Sequence, residues 1–285
     1  MARIDDELVQ SMAMGKVFKD NTARINSLDF YKTGEHLVTA SDDESIHVYN
    51  AVSGNELLSL TRRRRTTRTV LSKKYGVDLI RWTHNENTVI CASKNSWDET
   101  LRYLSLHDNH YLRYFKGHRD RVTSLAMSPV DDTFLSASLD STVRLWDLRT
   151  NACQGLIRRT GRASVAYDAQ GLIFAVATSN NAVKLYDLRS FEKGPFATFF
   201  VDHHTALQWS GIKFSNDGKY ILLPTTDSPI FLIDAFTGKK KQMYTGRSPS
   251  STWHVARWKR HVGYIHLLLV LSQVAKMATC TYGTR

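Results

Sequence analysis

Apolar and polar positions alternate along the middle of the chain, in short runs separated by turn residues. Val122–Met127 and Thr133–Ser138 are rich in apolar residues, and Thr142–Trp146 alternates strictly. The breaks between them, Ser128–Asp132 and Leu139–Ser141, contain Pro, Asp and Ser. A period of two residues predicts half-buried strands, and these residue types in the breaks favour tight turns. The pattern therefore predicts three antiparallel strands joined by two turns.

The same order of strands and turns recurs along the chain. The unit just described lies in Gly117–Asp147, which opens with Gly-His and closes with Trp-Asp. Four further segments repeat its order: Ile25–Asn50, Tyr75–Leu106, Ala163–Arg189 and Ile212–Ala235. Tyr49, Tyr186 and Ile233 stand where the central unit has Trp146, at spacings typical of β-propeller blades. Five such units predict an all-β protein of the WD40 β-propeller class, in which each blade shields its neighbour.

Four polar groups are expected to hold the central unit together. We expect Asp140 to bind the imidazole of His118, and Ser136 to link that ring to the indole N–H of Trp146. A buried polar chain of this kind is stable only when every member is paired. Ser, His and Asp also form catalytic triads, but this arrangement recurs in propellers that catalyse nothing. We therefore expect a structural tetrad and no catalytic residue.

Other candidates for chemistry are weak. His203-His204 has no carboxylate or third ligand at a recognisable spacing, and zinc needs three or four ligands. The paired carboxylates lie at predicted turns or near the N-terminus: Asp5-Asp6, Asp42-Asp43 and Asp131-Asp132. The glycines form no phosphate-binding loop. The expectation is a protein with no metal, no cofactor and no enzymatic activity.

Composition agrees with one intracellular domain. A chain of 285 residues fits a single all-β domain. Cys91, Cys153 and Cys280 have no paired spacing, which favours free thiols in a reducing compartment. The acidic start, Met1–Gln10, lacks the apolar core of a signal peptide. Tyr264–Ala275 is apolar but too short to span a bilayer, so no membrane association is expected.

The net charge of +11 is unevenly distributed. Thr61–Arg68 reads TRRRRTTR and contributes Arg62, Arg63, Arg64, Arg65 and Arg68. Such a basic patch is typical of a nuclear localisation signal or of phosphate contact with nucleic acid. A solvated loop between the first two units is the third interpretation. Aromatic residues, which single-strand binders interleave with basic ones, are absent from this run.

Several segments are more specific than the repeat itself. They are Ser72–His84, Leu101–His118, Met127–Arg149, Ala182–Phe199 and Lys213–Leu222. They closely resemble the small WD-repeat subunit of COMPASS (Set-type) histone H3 lysine-4 methyltransferase complexes. The resemblance runs from about Met14 to Thr245. It implies a seven-bladed, non-catalytic nuclear scaffold that links a SET-domain methyltransferase and other COMPASS subunits to chromatin and transcribing RNA polymerase II. Relatives also belong to transcript 3′-end processing and termination complexes, some with a phosphatase, which is the alternative assignment.

The chain departs from that family in two places. The arginine run is expected to be an insertion between Leu60 and Ser72. After about Gly246 the sequence stops resembling a blade, which predicts propeller blades over 1–245 and an atypical tail over 246–285. We expect the sixth blade to be degraded and the seventh to be missing. We expect a tail out of frame through alternative splicing, a gene-model error or a frameshift, and Lys16–Phe18 as the closing strand.

Partner contacts are expected on the loops at one rim of the propeller, since a rigid scaffold presents binding residues on its loops. Trp and Arg are common interface hot spots, so Trp97 and Arg119 come first. The remaining candidates are Arg24, Asp42, Asp43, Asp120, Leu139 and Asn180. Each is also compatible with a solvated turn, and Trp97 with packing onto its own blade.

Overall fold

The computed structural model describes residues 18, 20–51, 55–56, 70–71, 76–94, 98–158, 161–201, 208–226 and 229–244. Within these ranges the regular structure is 21 β-strands and one short 3-10 helix, Phe191–Lys193, with no α-helix. In the same ranges no helix is long and apolar enough to cross a membrane. The all-β prediction is confirmed.

The strands form five antiparallel sheets, which we call blades I to V. Blade I contains β1 (Ile25–Phe30), β2 (His36–Ser41), β3 (Ser45–Asn50), β4 (Asn55–Glu56) and β5 (Val70–Leu71). Blade II contains β6 (Ile80–Trp82), β7 (Thr88–Ala92), β8 (Leu101–Ser105) and β9 (His110–Phe115). Blade III contains β10 (Val122–Met127), β11 (Thr133–Ser138), β12 (Thr142–Asp147) and β13 (Cys153–Arg158). Blade IV contains β14 (Ala163–Tyr167), β15 (Ile173–Thr178), β16 (Ala182–Asp187) and β17 (Ala197–Phe200). Blade V contains β18 (Lys213–Phe214), β19 (Tyr220–Pro224), β20 (Ile230–Asp234) and β21 (Lys240–Tyr244).

The strand registers confirm the repeat that the sequence predicted. In every blade the second and third strands place one large apolar pair opposite each other. The pairs are Leu37 with Tyr49, Val89 with Leu104, Phe134 with Trp146, Phe174 with Tyr186, and Ile221 with Ile233. The second and third strands of the five blades therefore align position by position. The sequence correctly identified Tyr49, Tyr186 and Ile233 as the equivalents of Trp146.

The hydrophobic core lies between consecutive blades. Between blades II and III, for example, Ile90 and Leu101 pack with Phe134 and Trp146. Comparable clusters join blades I and II, III and IV, and IV and V. Each sheet therefore covers the apolar face of the next, which a single sheet cannot do alone.

The first strands of consecutive blades contact one another, as innermost strands around a common axis do. The Trp82 N–H on β6 donates to Asp29 Oδ2 on β1 at 2.9 Å. The Val165 N–H on β14 donates to Ser124 Oγ on β10 at 3.1 Å. These hydrogen bonds fix neighbouring blades relative to one another at their innermost strands.

The outer strand of blade I is interrupted. Asn55 and Glu56 pair with Asn50 and Tyr49, so a continuous strand would place residue 59 opposite Ile46. With the one-residue bulge that blades II, III and V have at this point, residue 60 would lie there. The structure places Val70 opposite Ile46 instead, so about ten residues are inserted. This agrees with the insertion predicted between Leu60 and Ser72. The arginine run lies in residues 57–69, between β4 and β5 and outside the described residues.

Several sequence predictions fall outside the described residues. They concern Trp97, His203-His204, Cys280, the arginine run, Lys16-Val17 of the closing strand, and the tail over 246–285. The domain boundary, the degraded sixth blade and the missing seventh therefore stay predictions. Phe18 is described, and its ring lies 4.3 Å from the ring of Tyr49 on blade I.

Candidate functional site

The structure brings together the four side chains of the predicted tetrad in blade III. His118, just before β10, lies with Nδ1 3.0 Å from Asp140 Oδ2 and Nε2 2.6 Å from Ser136 Oγ. Trp146 Nε1 donates to the same Ser136 oxygen at 2.8 Å. Strands β11 and β12 and the turn between them supply three of the four residues, so the local sheet register sets the geometry.

One arrangement of protons satisfies all of these contacts. The indole N–H can only donate, so the Ser136 hydroxyl accepts from Trp146 and donates to His118 Nε2. His118 then carries its proton on Nδ1 and donates to Asp140. Ser136 is fully buried, which excludes a substrate from its hydroxyl. The geometry favours a role in stability over nucleophilic catalysis.

Asp140 also organises the turn between β11 and β12. Burial by itself would raise the pKa of its carboxyl group, but hydrogen bonds from Thr142, His118 and the Arg119 N–H outweigh it and lower the pKa to about 2. Asp43 occupies the same position in blade I, and bonds from Ser45 and Thr22 likewise lower its pKa to about 2 against the opposing effect of burial. Asp43, a predicted partner residue, therefore has its carboxylate engaged by Ser45 of its own turn and by Thr22 of the segment before β1.

We expect the Asp140→Asn variant to lose part of the pH dependence of stability. The folded-state pKa is about 2 and the ordinary value is 3.8, so the carboxylate stabilises the fold above pH 4. That contribution, about 2 kcal/mol, is lost as the pH falls from 4 towards 2. Urea unfolding at a series of pH values measures it, with Asp131→Asn, at an exposed turn position, as the charge-matched control. Equal pH slopes in both variants would contradict the assignment.

The loops before the first strands meet the turns between second and third strands at one end of the propeller. The Asp42 N–H donates to the Arg24 carbonyl at 2.8 Å, and the Leu139 N–H donates to the Arg121 carbonyl at 2.9 Å. We call this end the upper rim. It carries the described candidates for partner contact.

Those candidates differ in exposure. The exposed ones are Arg24, Arg119, Asp120, Leu139 and Asn180. Asp42 is half-buried and forms an ion pair with Lys94 of blade II at 2.6 Å. In blade III the rim residues are held rigidly, since the Arg119 N–H donates to Asp140 Oδ2 at 3.1 Å and the Ser138 hydroxyl donates to the Asp120 carbonyl at 2.6 Å. Arg119, Asp120 and Leu139 thus form one contiguous patch.

One rim feature was missed from the sequence. Arg121 of blade III donates through Nε and Nη2 to Asp78 Oδ2 of blade II, at 2.9 and 2.7 Å. Asp78 is nearly buried, whereas the Arg121 side chain is half exposed. Nearby, burial and the charge of Asp120 raise the pKa of Glu99. The only available signal was that Arg24 and Arg121 occupy equivalent places before their first strands.

The described residues contain no group of three or more His, Cys, Asp or Glu side chains that could hold a metal ion. Exposed rim loops on a rigid set of sheets are instead suited to binding another macromolecule. The site is therefore best interpreted as an interaction surface.

Comparison with known proteins identifies the family. The sequence profile of the WD domain, G-beta repeat, matches residues 14–50 and 109–147. WD repeat-containing protein 82 of Drosophila melanogaster is 51% identical over 244 residues, which are 86% of this chain and 74% of that protein. Set1 complex component swd2 of Schizosaccharomyces pombe is 42% identical over 82% of this chain and 64% of its own length. COMPASS component SWD2 of Saccharomyces cerevisiae is 38% identical over 76% of this chain and 63% of its own length. The chain therefore belongs to the family of WD-repeat proteins that includes WD repeat-containing protein 82 and these Set1 and COMPASS components.

Proposed function

We propose that this chain is a non-catalytic scaffold subunit of a COMPASS-like, Set1-type histone H3 lysine-4 methyltransferase complex. The observation that carries the proposal is its identity of 42% and 38% to proteins named as Set1 complex and COMPASS components. Its partners would be a SET-domain methyltransferase and the other subunits, within the nucleus. Links to chromatin, RNA polymerase II, 3′-end processing factors or a phosphatase complex are finer proposals that depend on this one.

The upper rim of blade III is the surface we assign to this contact. Leu139 is 42% exposed, and its turn is hydrogen-bonded to the loop that carries the exposed residues Arg119 and Asp120. Arginine is enriched among interface hot spots, and covering the exposed leucine beside it would remove apolar surface from water. Because the backbone of this patch is hydrogen-bonded to Asp140 and Ser138, binding would cost little ordering of the loops.

We expect the double variant Arg119→Ala, Leu139→Ala to reduce recovery of a SET-domain methyltransferase. Loss of about 1–2 kcal/mol of interface energy corresponds to roughly a fivefold to thirtyfold loss of affinity. Affinity purification from nuclear extract with quantitative mass spectrometry measures the recovery. The matched control is Leu172→Ala, Arg189→Ala, which removes an exposed Leu and an exposed Arg on the opposite rim of blade IV.

The outcomes separate the assignments. Recovery lost in the upper-rim variant and retained in the control supports both the complex and the surface. Equal loss in both variants contradicts the surface. Wild-type chain that recovers cleavage and polyadenylation factors without a SET-domain protein supports the alternative scaffold. Retention only on nucleic acid, abolished by salt, supports binding through the arginine run.

A further inference from the structure

Among the described residues, the hydrophobic cluster on one face of blade V contains side chains of this blade alone. Along β19 and β20 the side chains alternate, so that Ile221 and Ile233 face blade IV while Leu222 and Leu232 face the other way. We call this second face the far face. The equivalent cross-strand pairs in blades II, III and IV pack against the following blade. They are Ile90 with Tyr103, Leu135 with Leu145, and Ala175 with Leu185.

Leu222 and Leu232 are nevertheless closed off from water. Each is 5% exposed, compared with 8% for Leu145 and 3% for Leu185, which the following blade covers. Burial of this degree on the face of a sheet requires a second layer of protein. Three neighbours on the far face are partly buried as well, namely Tyr220, Ile230 and Tyr244. Because the structure contains a single chain, the covering layer belongs to the same chain.

The sequence after blade V contains one segment suited to this role. His261–Ala275 has no Asp, Glu, Lys or Arg, and Leu267–Leu271 within it is a continuous apolar run. Such a segment can be buried against a sheet without taking a charge out of water. The two other long segments outside the described residues, 1–17 and 57–69, have no uncharged apolar run of comparable length.

We propose that His261–Ala275 packs against the far face of blade V and buries Leu222 and Leu232. Contact between the two removes both apolar surfaces from water, whereas either one left open would be an exposed apolar patch. Residues 245–260 can make the connection, since an extended chain covers about 3.3 Å per residue and a four-stranded sheet is only about 15 Å wide. The tail then covers the sheet without forming a regular blade. This contact is separate from the upper rim and does not depend on the proposed function.

The test uses the full chain with the photo-crosslinking residue p-benzoylphenylalanine in place of Tyr220, an aromatic side chain on the far face. An equal mixture of unlabelled and isotope-labelled protein separates cross-links within one copy from those between two copies. Mass spectrometry of the digested product identifies the linked segment, which we expect to be 261–275 of the same copy. The control places the same residue at Phe236, which is 77% exposed in the turn between β20 and β21. Because cross-linking requires contact, the control should give at least about tenfold less of this product.

A charge within the apolar run should remove the contact. Leu268→Asp is expected to lower the yield of this cross-link at least about fivefold, since burying a carboxylate without a partner is strongly unfavourable. Ser250→Asp adds the same charge to the polar part of the tail and should keep the yield within about twofold at moderate salt. Far-UV circular dichroism establishes that each variant is folded.

Three results would overturn the proposal. Cross-links between copies would show that a second chain covers the far face. Cross-links to residues 1–17 would assign the cover to the N-terminal segment, and no cross-link from position 220 would leave the tail without contact. An unchanged yield in Leu268→Asp would show that the apolar run is not what packs there.

Discussion

Replacing Trp146 with alanine is expected to lower the free energy of unfolding by about 3–5 kcal/mol. The indole is fully buried between blades II and III, with its ring 5.7 Å from Phe115 and 6.3 Å from Phe134. Alanine would leave a cavity at the interface of two sheets and would remove the N–H that donates to Ser136. Urea unfolding followed by far-UV circular dichroism measures the loss.

Two further variants divide that loss between packing and hydrogen bonding. Trp146→Phe keeps an aromatic ring and removes the N–H, so about 1–2 kcal/mol is expected. Ser136→Ala keeps the indole and leaves both the Trp146 N–H and His118 Nε2 without this partner, at a cost of about 2 kcal/mol. A loss below about 1 kcal/mol in Trp146→Ala would show that the core between these blades contributes little stability.

The tetrad and the blades could be predicted because the sequence signals for them lie within single blades. Strand alternation fixes which side chains of β11 and β12 share a face, and Gly117-His118 and Trp146-Asp147 mark the ends of the unit. The same register then identified Tyr49, Tyr186 and Ile233. All of these predictions compare residues within one blade, or residues at the same position in different blades. Such spacings can be read from a single sequence.

Contacts between blades could not be predicted in the same way. The Arg121–Asp78 pair joins residues 43 positions apart, and the bond from Arg81 to the Leu28 carbonyl joins residues 53 positions apart. Alternation assigns each side chain to a face, but does not state which charged group of one blade reaches which acceptor of another. The inter-blade partners of Arg81 and Arg121 could therefore not be identified from the sequence, although Arg81 stands on a strand that was correctly predicted.

The aspartate pair in the turn between β2 and β3 of blade I shows the same limit. In sequence, Asp42 and Asp43 are equivalent candidates for a partner surface. In the structure, Asp43 accepts the N–H groups of Thr22 and Ser45, each at 3.0 Å, whereas Asp42 pairs with Lys94 across the blade boundary. A carboxylate that stabilises its turn can be distinguished from one that is available on the rim only when the backbone N–H groups that donate to it are known.

Gly238→Ala is expected to cost about 2–4 kcal/mol through two separable effects. Gly238 has a φ of +67° in the turn between β20 and β21, where its N–H donates to the Asp234 carbonyl at 2.9 Å. A Cβ atom there would also overlap the ring of Phe199, on the outer strand of blade IV. Thermal and urea unfolding measure the combined loss.

Gly218→Ala isolates the backbone effect, because Gly218 has a φ of +70° and open space where the Cβ atom would lie. Its expected cost is about 1 kcal/mol, so the difference between the two variants is the cost of the clash between blades IV and V. That difference should shrink when both glycine variants are made in a Phe199→Ala background, since the ring is then absent and the two mutations at the interface couple. A cost for Gly238→Ala no larger than that of Gly218→Ala in the wild-type background would show that the turn of blade V does not pack against Phe199 in solution. That result would contradict the close contact between blades IV and V.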